Sequence, residues 1–346
     1  MQCCWASIKA VSELFFKMKG IVLFSKSLIK HSVNKILFCI LIVWGLCGCA
    51  PIGLEKFHNG ETVKLTAAMS INGLQRTALV HIPKGYDEKK VYPLIIVIHG
   101  AFSTAAKMEQ ETGFSKLADR EGVVVVYPNG MGIFGLLQHW NAGHCCGKAA
   151  AEGLDDIAFL EECISFVKRS VSIDDKKVYV TGFSNGGMMA HRFAAEKSHS
   201  VTALAALGAS VGGRPDAQQQ FWLPPMPEIP VPALLIHGMD DTAVPPAGGV
   251  SLSKGTTREY LSLKDSTTFW LRANRCLQDA DSTVIDNGRV EKKIWTLCAG
   301  SSSVEVYRLN GWGHRWPGGH YRSAGGEEIS FQGTEMIWKF FQRHTR

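Results

Sequence analysis

Short apolar runs alternate with longer amphipathic stretches over most of this chain. The apolar runs are four to seven residues long and rich in β-branched residues, which is typical of buried strands. The stretches between them have helical spacing near 105–120, 157–169 and 186–197, and again from Glu335 to Arg343. This alternation predicts a largely parallel, doubly wound sheet in one α/β domain. The predicted strands are Leu94–Ile98, Val123–Tyr127, Val178–Thr181, Val201–Leu207, Leu234–His237 and Val304–Leu309.

The beginning of the domain has a different pattern. Thr62–Met69 and Arg76–Ile82 flank Asn72-Gly73, a dipeptide typical of two-residue hairpin turns. We therefore expect an antiparallel hairpin before the first parallel strand. The proline-rich run Pro224–Pro227 predicts a connector inside the domain, so that one catalytic domain extends over residues 62–346.

A G-x-S-x-G motif, Gly182 to Gly186, stands between a predicted strand and a predicted helix. In that context it indicates a nucleophile elbow, a sharp turn that exposes the Ser184 hydroxyl at the start of a helix. A helix N-terminus favours developing negative charge. The motif alone also fits an ordinary strand-to-helix turn, so the hypothesis depends on partners elsewhere in the chain.

A serine nucleophile needs a base, and the base needs a carboxylate to orient it. Asp240 and Asp241 follow the predicted strand Leu234–His237, and the H-G-x-x-D-x-x-V-P spacing favours Asp241. The alternative for this stretch is a capped turn with solvated aspartates. Farther on, His314 lies in a glycine-rich loop after a strand, as a base should, and His320 is the fallback. The order Ser, Asp, His is that of α/β-hydrolases.

Backbone N–H groups are expected to stabilise the oxyanion. The tight His99-Gly100 turn after strand Leu94–Ile98 can supply the N–H of Ala101, with Phe102 as the alternative. The second donor is the N–H of Asn185, the residue after the nucleophile. We expect the His99 side chain itself to stabilise the turn.

Several aromatic and acidic residues have two interpretations. Trp140, Trp312 and Trp316 either line the substrate pocket or pack beneath loops. Asp155 and Asp156 precede the helix 157–169 and fit N-capping and helix-dipole pairing better than catalysis.

Taken together, the motifs resemble one known family, the secreted poly(3-hydroxybutyrate) depolymerase-like esterases, which grade into feruloyl and acetylxylan esterases. The resemblance covers roughly residues 62 to 342. It implies an α/β-hydrolase fold with Ser184 as nucleophile, Asp241 as orienting carboxylate and His314 as general base. The segments that carry it are the His99-Gly100 turn, Trp140–Gly147, Asp155–Leu160, Val178–Met189 and Gly311–Gly319.

The N-terminus has the pattern of an export signal. Lysines precede an apolar core, Ile36 to Leu46, and Leu46-Cys47-Gly48-Cys49 matches a lipobox. We expect residues 1–48 to be a lipoprotein signal peptide, Cys49 to carry the lipid, and 49–61 to form a tether to the bacterial envelope, at the outer membrane if there are two. If the protein is exported without an anchor, we expect it to be extracellular. An uncleaved signal anchor is the alternative. Residues 1–48 carry six lysines and one glutamate, so +5 of the formal +6 charge lies there, and nucleic-acid binding is not expected.

The cysteines are interpreted from this exported setting, which permits disulfides. Cys276 and Cys298 flank a polar excursion beside a strand-like segment at Ile294-Trp295, and we expect them to pair. Cys145, Cys146 and Cys163 are an odd number whose pairing the sequence leaves open. No C-x-x-C motif and no zinc-binding pattern is present, so neither a metal nor a cofactor is expected.

The resulting hypothesis is an exported serine esterase that cleaves short 3-hydroxybutyrate oligomers or similar small esters. Three alternatives stay open: a feruloyl or acetylxylan esterase acting on plant polysaccharide, a serine peptidase on the same fold, and a catalytically inactive binding lipoprotein. The expected partners are the ester substrate and, through the N-terminal lipid, a membrane.

Overall fold

A ten-stranded mixed sheet is the centre of the protein in a computed structural model. The structure describes residues 62–65, 69–133, 135–251, 257–277, 279–318 and 331–346. The strands in chain order are β1 (Thr62–Leu65), β2 (Ser70–Ile71), β3 (Leu74–Gln75), β4 (Ala78–His81), β5 (Tyr92–Ile98), β6 (Val124–Pro128), β7 (Met131–Ile133), β8 (Leu136–His139), β9 (Ile173–Phe183), β10 (Ala203–Leu207), β11 (Gly213–Arg214), β12 (Ala233–Gly238), β13 (Gly249–Val250), β14 (Glu259–Tyr260), β15 (Asp281–Ile285), β16 (Val290–Trp295) and β17 (Val304–Leu309).

Seven α-helices are present in the described part of the chain. Most of them connect consecutive strands of the sheet, as the alternating pattern predicts. They are α1 (Ala105–Thr112), α2 (Phe114–Glu121), α3 (Gly147–Ala151), α4 (Asp156–Lys168), α5 (Asn185–Glu196), α6 (Leu263–Ala273) and α7 (Gly333–Phe341), and a 3₁₀ turn covers Ala299–Ser301.

The sheet order is β1-β4-β6-β5-β9-β10-β12-β17-β16-β15. The six strands from β6 to β17 in that order pair in parallel, and the strands at both edges pair antiparallel. The α/β-hydrolase fold class predicted from the sequence is therefore confirmed. The carboxyl ends of the parallel strands meet at one edge, where open α/β sheets build their sites.

Two apolar cores cover the two faces of the sheet. Because successive strand residues point to opposite faces, Ile95 and Ile96 of β5 lie in different cores. Helices α4, α5 and α6 contribute to the core that contains Ile96, and α1, α2 and α7 contribute to the other. The central strands are buried on both faces, which explains their continuous apolar sequence.

The structure differs from the predicted helices in two places. The stretch 105–120 is two helices, because Gly113 adopts φ 69° and ends α1 in a left-handed cap. Helix α6 was not predicted, although a capping box in which Ser262 and Asp265 bond reciprocally marks its start.

The N-terminal hairpin is confirmed and has two parts. Strand β1 pairs antiparallel with β4, and the short strands β2 and β3 pair around Asn72-Gly73, whose φ values of 50° and 80° suit a tight turn. Residues 1–48 and Cys49 lie outside the described residues. Within the described ranges, no helix has both the length and the apolar character that a membrane crossing requires.

Candidate active site

Ser184 lies at the turn between the carboxyl end of β9 and the first residue of α5. Its backbone has φ 54° and ψ −126°, a combination uncommon for a residue with a side chain. The turn is held by the Ser184 N–H, which donates to the Leu207 carbonyl at 2.9 Å. A Cβ on Gly182 would strike the Gly186 backbone, and one on Gly186 would strike the end of β5. Both glycines of the motif are therefore required by close backbone approach.

Ser184, His314 and Asp241 form one hydrogen-bonded chain. His314 Nε2 is 2.8 Å from Ser184 Oγ, and His314 Nδ1 is 2.7 Å from Asp241 Oδ2. The three residues come from loops after β9, β17 and β12, which are neighbours or near neighbours in the sheet. The structure thus brings together the three residues predicted from the sequence, in the geometry of a nucleophile, a base and an orienting carboxylate.

The surroundings of Asp241 separate it from Asp240. Asp241 is buried and its Oδ1 accepts from the N–H groups of Ala243 and Val244 at 2.9 and 2.8 Å, whereas Asp240 is exposed. These bonds leave Oδ2 directed at His314. His237 Nε2 lies 3.5 Å from the same carboxylate, and burial lowers the pKa of His237, which favours the neutral ring.

The two residues predicted to supply the oxyanion donors, Ala101 and Asn185, line one cavity together with Ser184. Asn185 is the first residue of α5, where an N–H has no intrahelical acceptor. Ala101 lines the same cavities as Ser184 and His314. The alternative Phe102 is disfavoured, because its N–H already donates to the Gln138 carbonyl at 2.9 Å.

The His99 side chain stabilises the turn, as predicted. Its Nδ1 is 2.7 Å from the Gly100 carbonyl, and its Nε2 accepts from the Gly130 N–H at 3.0 Å. This pairing describes a neutral ring protonated at Nδ1. Burial lowers the pKa of His99 to about 4, in agreement with a neutral structural role.

Trp140 lines neither of the cavities at Ser184. The pocket interpretation is therefore wrong for this residue, and the packing interpretation fits it. Its side chain is fully buried, its indole N–H donates to the His99 carbonyl at 2.9 Å, and its ring stacks on Phe159. The Asn185 side chain bonds to both the N–H and the carbonyl of Trp140, at 2.8 and 3.1 Å. Trp140 therefore supports the elbow from beneath.

The other two tryptophans take different places. Trp316 is mostly buried but contributes to a wall of the cavity at Ser184. Trp312 packs under a loop: its indole N–H donates to the Arg315 carbonyl, and the Arg315 guanidinium lies 4.0 Å from the ring centroid. The pocket interpretation therefore fits Trp316, whereas the packing interpretation fits Trp312.

Asp155 and Asp156 have separate structural roles. Asp155 Oδ1 accepts from the Ala158 N–H at 2.9 Å and caps α4, as predicted. Asp156 lies in the first turn but is fully buried, where it forms an ion pair with Arg76 at 2.7 Å and accepts from the Asn141 N–H. The sequence interpretation missed this buried pair, because Arg76 is eighty positions away in the chain.

Two cavities meet at Ser184. Both are bounded by Ala101, Phe102, Ser184 and His314. The first, about 290 Å³, continues between α1 and the His314 loop and is lined also by Lys107, Met108, Glu111, Arg315 and Trp316. The second, about 470 Å³, continues toward β14 and is lined also by His139, Cys146, Met188, Arg258 and Tyr260.

Most of the residues that line the two cavities were not predicted from the sequence. Phe102, with φ 61° and 66% of its surface exposed, packs edge-on against His139 and lines both cavities. Its left-handed backbone beside an H-G turn is not visible in the sequence. Arg258 and Tyr260 come from a polar segment without a motif, so no sequence signal pointed to them.

The cysteines partly follow the expectation. The fold brings the sulfurs of Cys276 and Cys298 together, with their Cα atoms 4.0 Å apart. The sulfurs of Cys145 and Cys146 face each other, and Cys163 is a buried free thiol next to Met69. In this structure Cys163 therefore forms no disulfide with Cys145 or Cys146.

In the described part of the chain, no group of three or more His, Cys, Asp or Glu side chains is arranged to hold a metal ion. His320, the fallback base, lies outside the described residues.

Comparison with known proteins finds one matching family, esterases of similar sequence and solved structures of similar fold. The family described as Esterase PHB depolymerase matches residues 77–216. Feruloyl esterase B of Piromyces equi is 27% identical over 247 residues, which are 69% of this chain and 42% of that protein. The putative esterase NocK of Nocardia uniformis subsp. tsuyamanensis is 26% identical over 243 residues, 66% of this chain and 67% of that protein.

A solved structure supports the fold. The acetyl xylan esterase from Aspergillus awamori superposes with a TM-score of 0.57 at 14% identity, covering 82% of this chain and 99% of that one. At this identity the similarity concerns the fold alone. The family match and the relatives confirm the resemblance first seen in the sequence motifs.

Proposed function

We propose that this α/β-hydrolase, whose residues 77–216 match the family described as Esterase PHB depolymerase, is a carboxylic-ester hydrolase. The observation that carries the proposal is the continuous chain from Ser184 Oγ through both nitrogens of His314 to the buried Asp241 carboxylate. A neutral hydroxyl becomes a useful nucleophile when an oriented imidazole removes its proton.

In the first half of the reaction, Ser184 Oγ attacks the ester carbonyl carbon as its proton passes to His314 Nε2. Asp241 stabilises the resulting imidazolium through its hydrogen bond to Nδ1. The N–H groups of Ala101 and Asn185 bind the oxyanion of the tetrahedral intermediate. The intermediate collapses when His314 returns the proton to the leaving alcohol, which leaves the acyl group on Ser184.

In the second half, water replaces the alcohol. His314 takes a proton from the water as its oxygen attacks the acyl carbon, and the second tetrahedral intermediate uses the same two N–H donors. Collapse then breaks the bond to Ser184 Oγ, which regains its proton from His314. The carboxylic acid leaves and the site returns to its starting state, so the cycle needs only groups of this chain and water.

The substrate part of the proposal is a short ester or oligoester. Oligomers of 3-hydroxybutyrate are one candidate, in line with the family match. Feruloyl and acetyl esters of plant polysaccharide are the other, in line with the names of the relatives. Cavities of about 290 and 470 Å³ on the two sides of Ser184 suit groups of modest size on both the acyl and the alcohol side.

The test uses the purified protein with four substrates: 3-hydroxybutyrate oligomers, methyl ferulate, nitrophenyl acetate and an aminoacyl anilide. Ser184→Ala is the blank. Ester hydrolysis by the wild type that Ser184→Ala lacks supports the proposal, and preference for one of the first two substrates identifies the substrate group. Hydrolysis of the anilide instead of the esters would indicate a peptidase, and no turnover by folded protein would indicate a binding protein.

We also propose that the protein is exported and lipidated at Cys49, and that Cys276 and Cys298 are joined by a disulfide. The lipobox supports the first part and the proximity of the two sulfurs supports the second. Mass spectrometry of the protein from a bacterial host tests both. A diacylglyceryl mass on Cys49 and a peptide pair that separates only after reduction are expected; an intact residue 1–48 segment would contradict lipidation.

A further inference from the structure

His237 is a buried polar side chain beside the candidate catalytic carboxylate. It is the next-to-last residue of β12, four positions before Asp241, and only 2% of its surface is exposed. Its Nε2 lies 2.8 Å from the Val244 carbonyl oxygen and 3.5 Å from Asp241 Oδ2. The proposed reaction cycle does not use this ring, so its place beside Asp241 needs an explanation of its own.

The contact with Val244 fixes the tautomer of His237. A carbonyl oxygen only accepts hydrogen bonds, so Nε2 must carry the proton that it donates. Burial lowers the pKa of His237, which favours the neutral ring with Nε2–H as its single N–H group. That N–H bonds to the Val244 carbonyl and is close enough to the Asp241 carboxylate to attract it electrostatically, without a full hydrogen bond.

Val244 is the link between His237 and Asp241. Its carbonyl accepts from His237, and its N–H donates to Asp241 Oδ1 at 2.8 Å. The Ala243 N–H donates to the same oxygen at 2.9 Å. His237 thus holds the short segment that holds Asp241, and the direction of Oδ2 toward His314 depends on that segment.

The bond between Asp241 and His314 has few other polar neighbours. A Cβ on Gly208 would lie 3.4 Å from both Asp241 Oδ2 and His314 Nδ1, and the Phe183 ring packs 4.7 Å from the His314 ring. Among the basic side chains in the described part of the chain, His314 and His237 are those within ion-pair distance of the Asp241 carboxylate. The dipole of His237 is therefore well placed to hold Oδ2.

We propose that His237 is a positioning residue of the active site: its Nε2–H fixes the Val244 segment and thereby places the Asp241 carboxylate for its hydrogen bond to His314. This inference rests on the proposed esterase function and adds a residue that acts through Asp241. A small displacement of the carboxylate misorients the imidazole, and catalysis depends steeply on such orientation. The effect falls on kcat, because His314 acts in the transition state.

The experiment compares two amides at position 237 of the full-length protein. The amide nitrogen of glutamine lies as many bonds from the backbone as Nε2 of histidine, so His237→Gln can still donate to the Val244 carbonyl. The amide nitrogen of asparagine corresponds to Nδ1, so His237→Asn lacks this donor. The matched control is His191→Asn, which alters another fully buried histidine, one that bonds to Trp270 outside the active site.

Kinetics and NMR are measured on the same proteins. The kinetic readouts are kcat and KM for nitrophenyl acetate, with Ser184→Ala as the blank. Proton NMR records the line of the His314 Nδ1–H, which its hydrogen bond to Asp241 shifts to low field, and Asp241→Asn identifies this line by its loss. Urea unfolding of each variant separates a loss of positioning from a loss of stability.

We expect His237→Asn to lower kcat by about thirtyfold or more, to leave KM within about twofold, and to lose or shift the low-field line. His237→Gln should keep kcat within about fivefold of wild type and should retain the line. His191→Asn should lose stability but keep both kcat and the line. A merely structural role of His237 would give the same result for His237→Asn as for His191→Asn.

Wild-type kcat in folded His237→Asn, or equal losses in His237→Asn and His237→Gln, would overturn the inference. If His237→Asn does not fold, the wild type decides, because long-range proton–nitrogen spectra show which ring nitrogen of His237 carries the proton. A proton on Nε2 supports the inference and a proton on Nδ1 overturns it. Failure of the esterase proposal looks different: folded wild type then hydrolyses no ester, whatever the NMR lines of the variants show.

Discussion

The side chain of Asn185 holds the backbone of Trp140 through two hydrogen bonds, from the Trp140 N–H to Oδ1 and from Nδ2 to the Trp140 carbonyl. One residue thus has two roles on opposite sides of the elbow. Its backbone N–H is the proposed second oxyanion donor, and its side chain anchors a buried tryptophan whose indole N–H donates to the His99 carbonyl. The loop that carries Ala101 and the helix that carries Asn185 are connected through this path.

The first prediction concerns this connection. Asn185→Ala leaves the buried N–H of Trp140 without its acceptor, whereas the Trp140 carbonyl keeps the N–H groups of Ala142 and Cys146 as donors. The free energy of unfolding should therefore fall by about 2 kcal/mol. Urea unfolding followed by tryptophan fluorescence measures the change. We also expect kcat to fall more than KM changes, because the oxyanion donors act only in the transition state. Wild-type stability in Asn185→Ala would contradict the expected cost of leaving the Trp140 N–H without an acceptor.

The second prediction separates the two adjacent aspartates. Asp241→Asn should reduce kcat on an ester substrate by roughly a thousandfold or more, because an amide no longer holds the required His314 tautomer. Asp240→Asn is the matched control, since Asp240 is exposed and one position away, and its kcat should stay within about twofold of wild type. Equal effects of the two substitutions would contradict the assignment of Asp241.

The third prediction compares the two acidic residues that begin helix α4. Asp156→Ala removes one partner of the buried ion pair with Arg76 and should lower the free energy of unfolding by about 3–5 kcal/mol. Asp155→Ala removes only a helix cap and should cost about 1 kcal/mol. Chemical denaturation of both variants tests the order, and an Asp155→Ala variant as unstable as Asp156→Ala would refute it.

The fourth prediction is a loss of stability in acid. Burial lowers the pKa of His144 and of His191 to about 3, well below the ordinary value of 6.5. Below pH 6.5 the unfolded chain therefore binds protons at these positions that the folded chain does not. The free energy of unfolding should fall as the pH drops from 6.5 toward 3, by up to about 1.4 kcal/mol per pH unit for each histidine.

Urea unfolding at pH 7, 6, 5 and 4 measures this dependence. His191→Gln gives the matched comparison, because the Gln carbonyl can still accept from the Trp270 indole N–H, which donates to His191 Nδ1 at 2.9 Å. The slope of stability against pH should be smaller in this variant. An unchanged slope would mean that other groups cause the acid sensitivity.

Much of the architecture could be predicted from local patterns. The buried strands are apolar along their whole length because helices cover both faces, so their position and parallel arrangement are visible in the order of residues. Ser184 could be identified because the elbow requires glycines at fixed neighbouring positions. Asp241 and His314 could be identified because each directly follows a recognisable strand.

The identity of the pocket walls could not be predicted in this way. Trp140 and Trp316 look alike in the sequence, yet the first is fully buried under the elbow and the second reaches the cavity. Arg258 belongs to a polar segment without a motif, and only the folded structure places it in the lining of the same cavity as Ser184.

The sequence by itself therefore determined the fold class, the order of the strands along the chain and the three candidate catalytic residues. It could do so because turns and buried strands require particular residue types at neighbouring positions. Tertiary structure alone decided which side chains share a cavity and which pair in the core. Arg76 and Asp156 are eighty positions apart, and their contact depends on how the hairpin packs against α4. Such contacts follow from the packing of whole elements, which no short stretch of residues encodes.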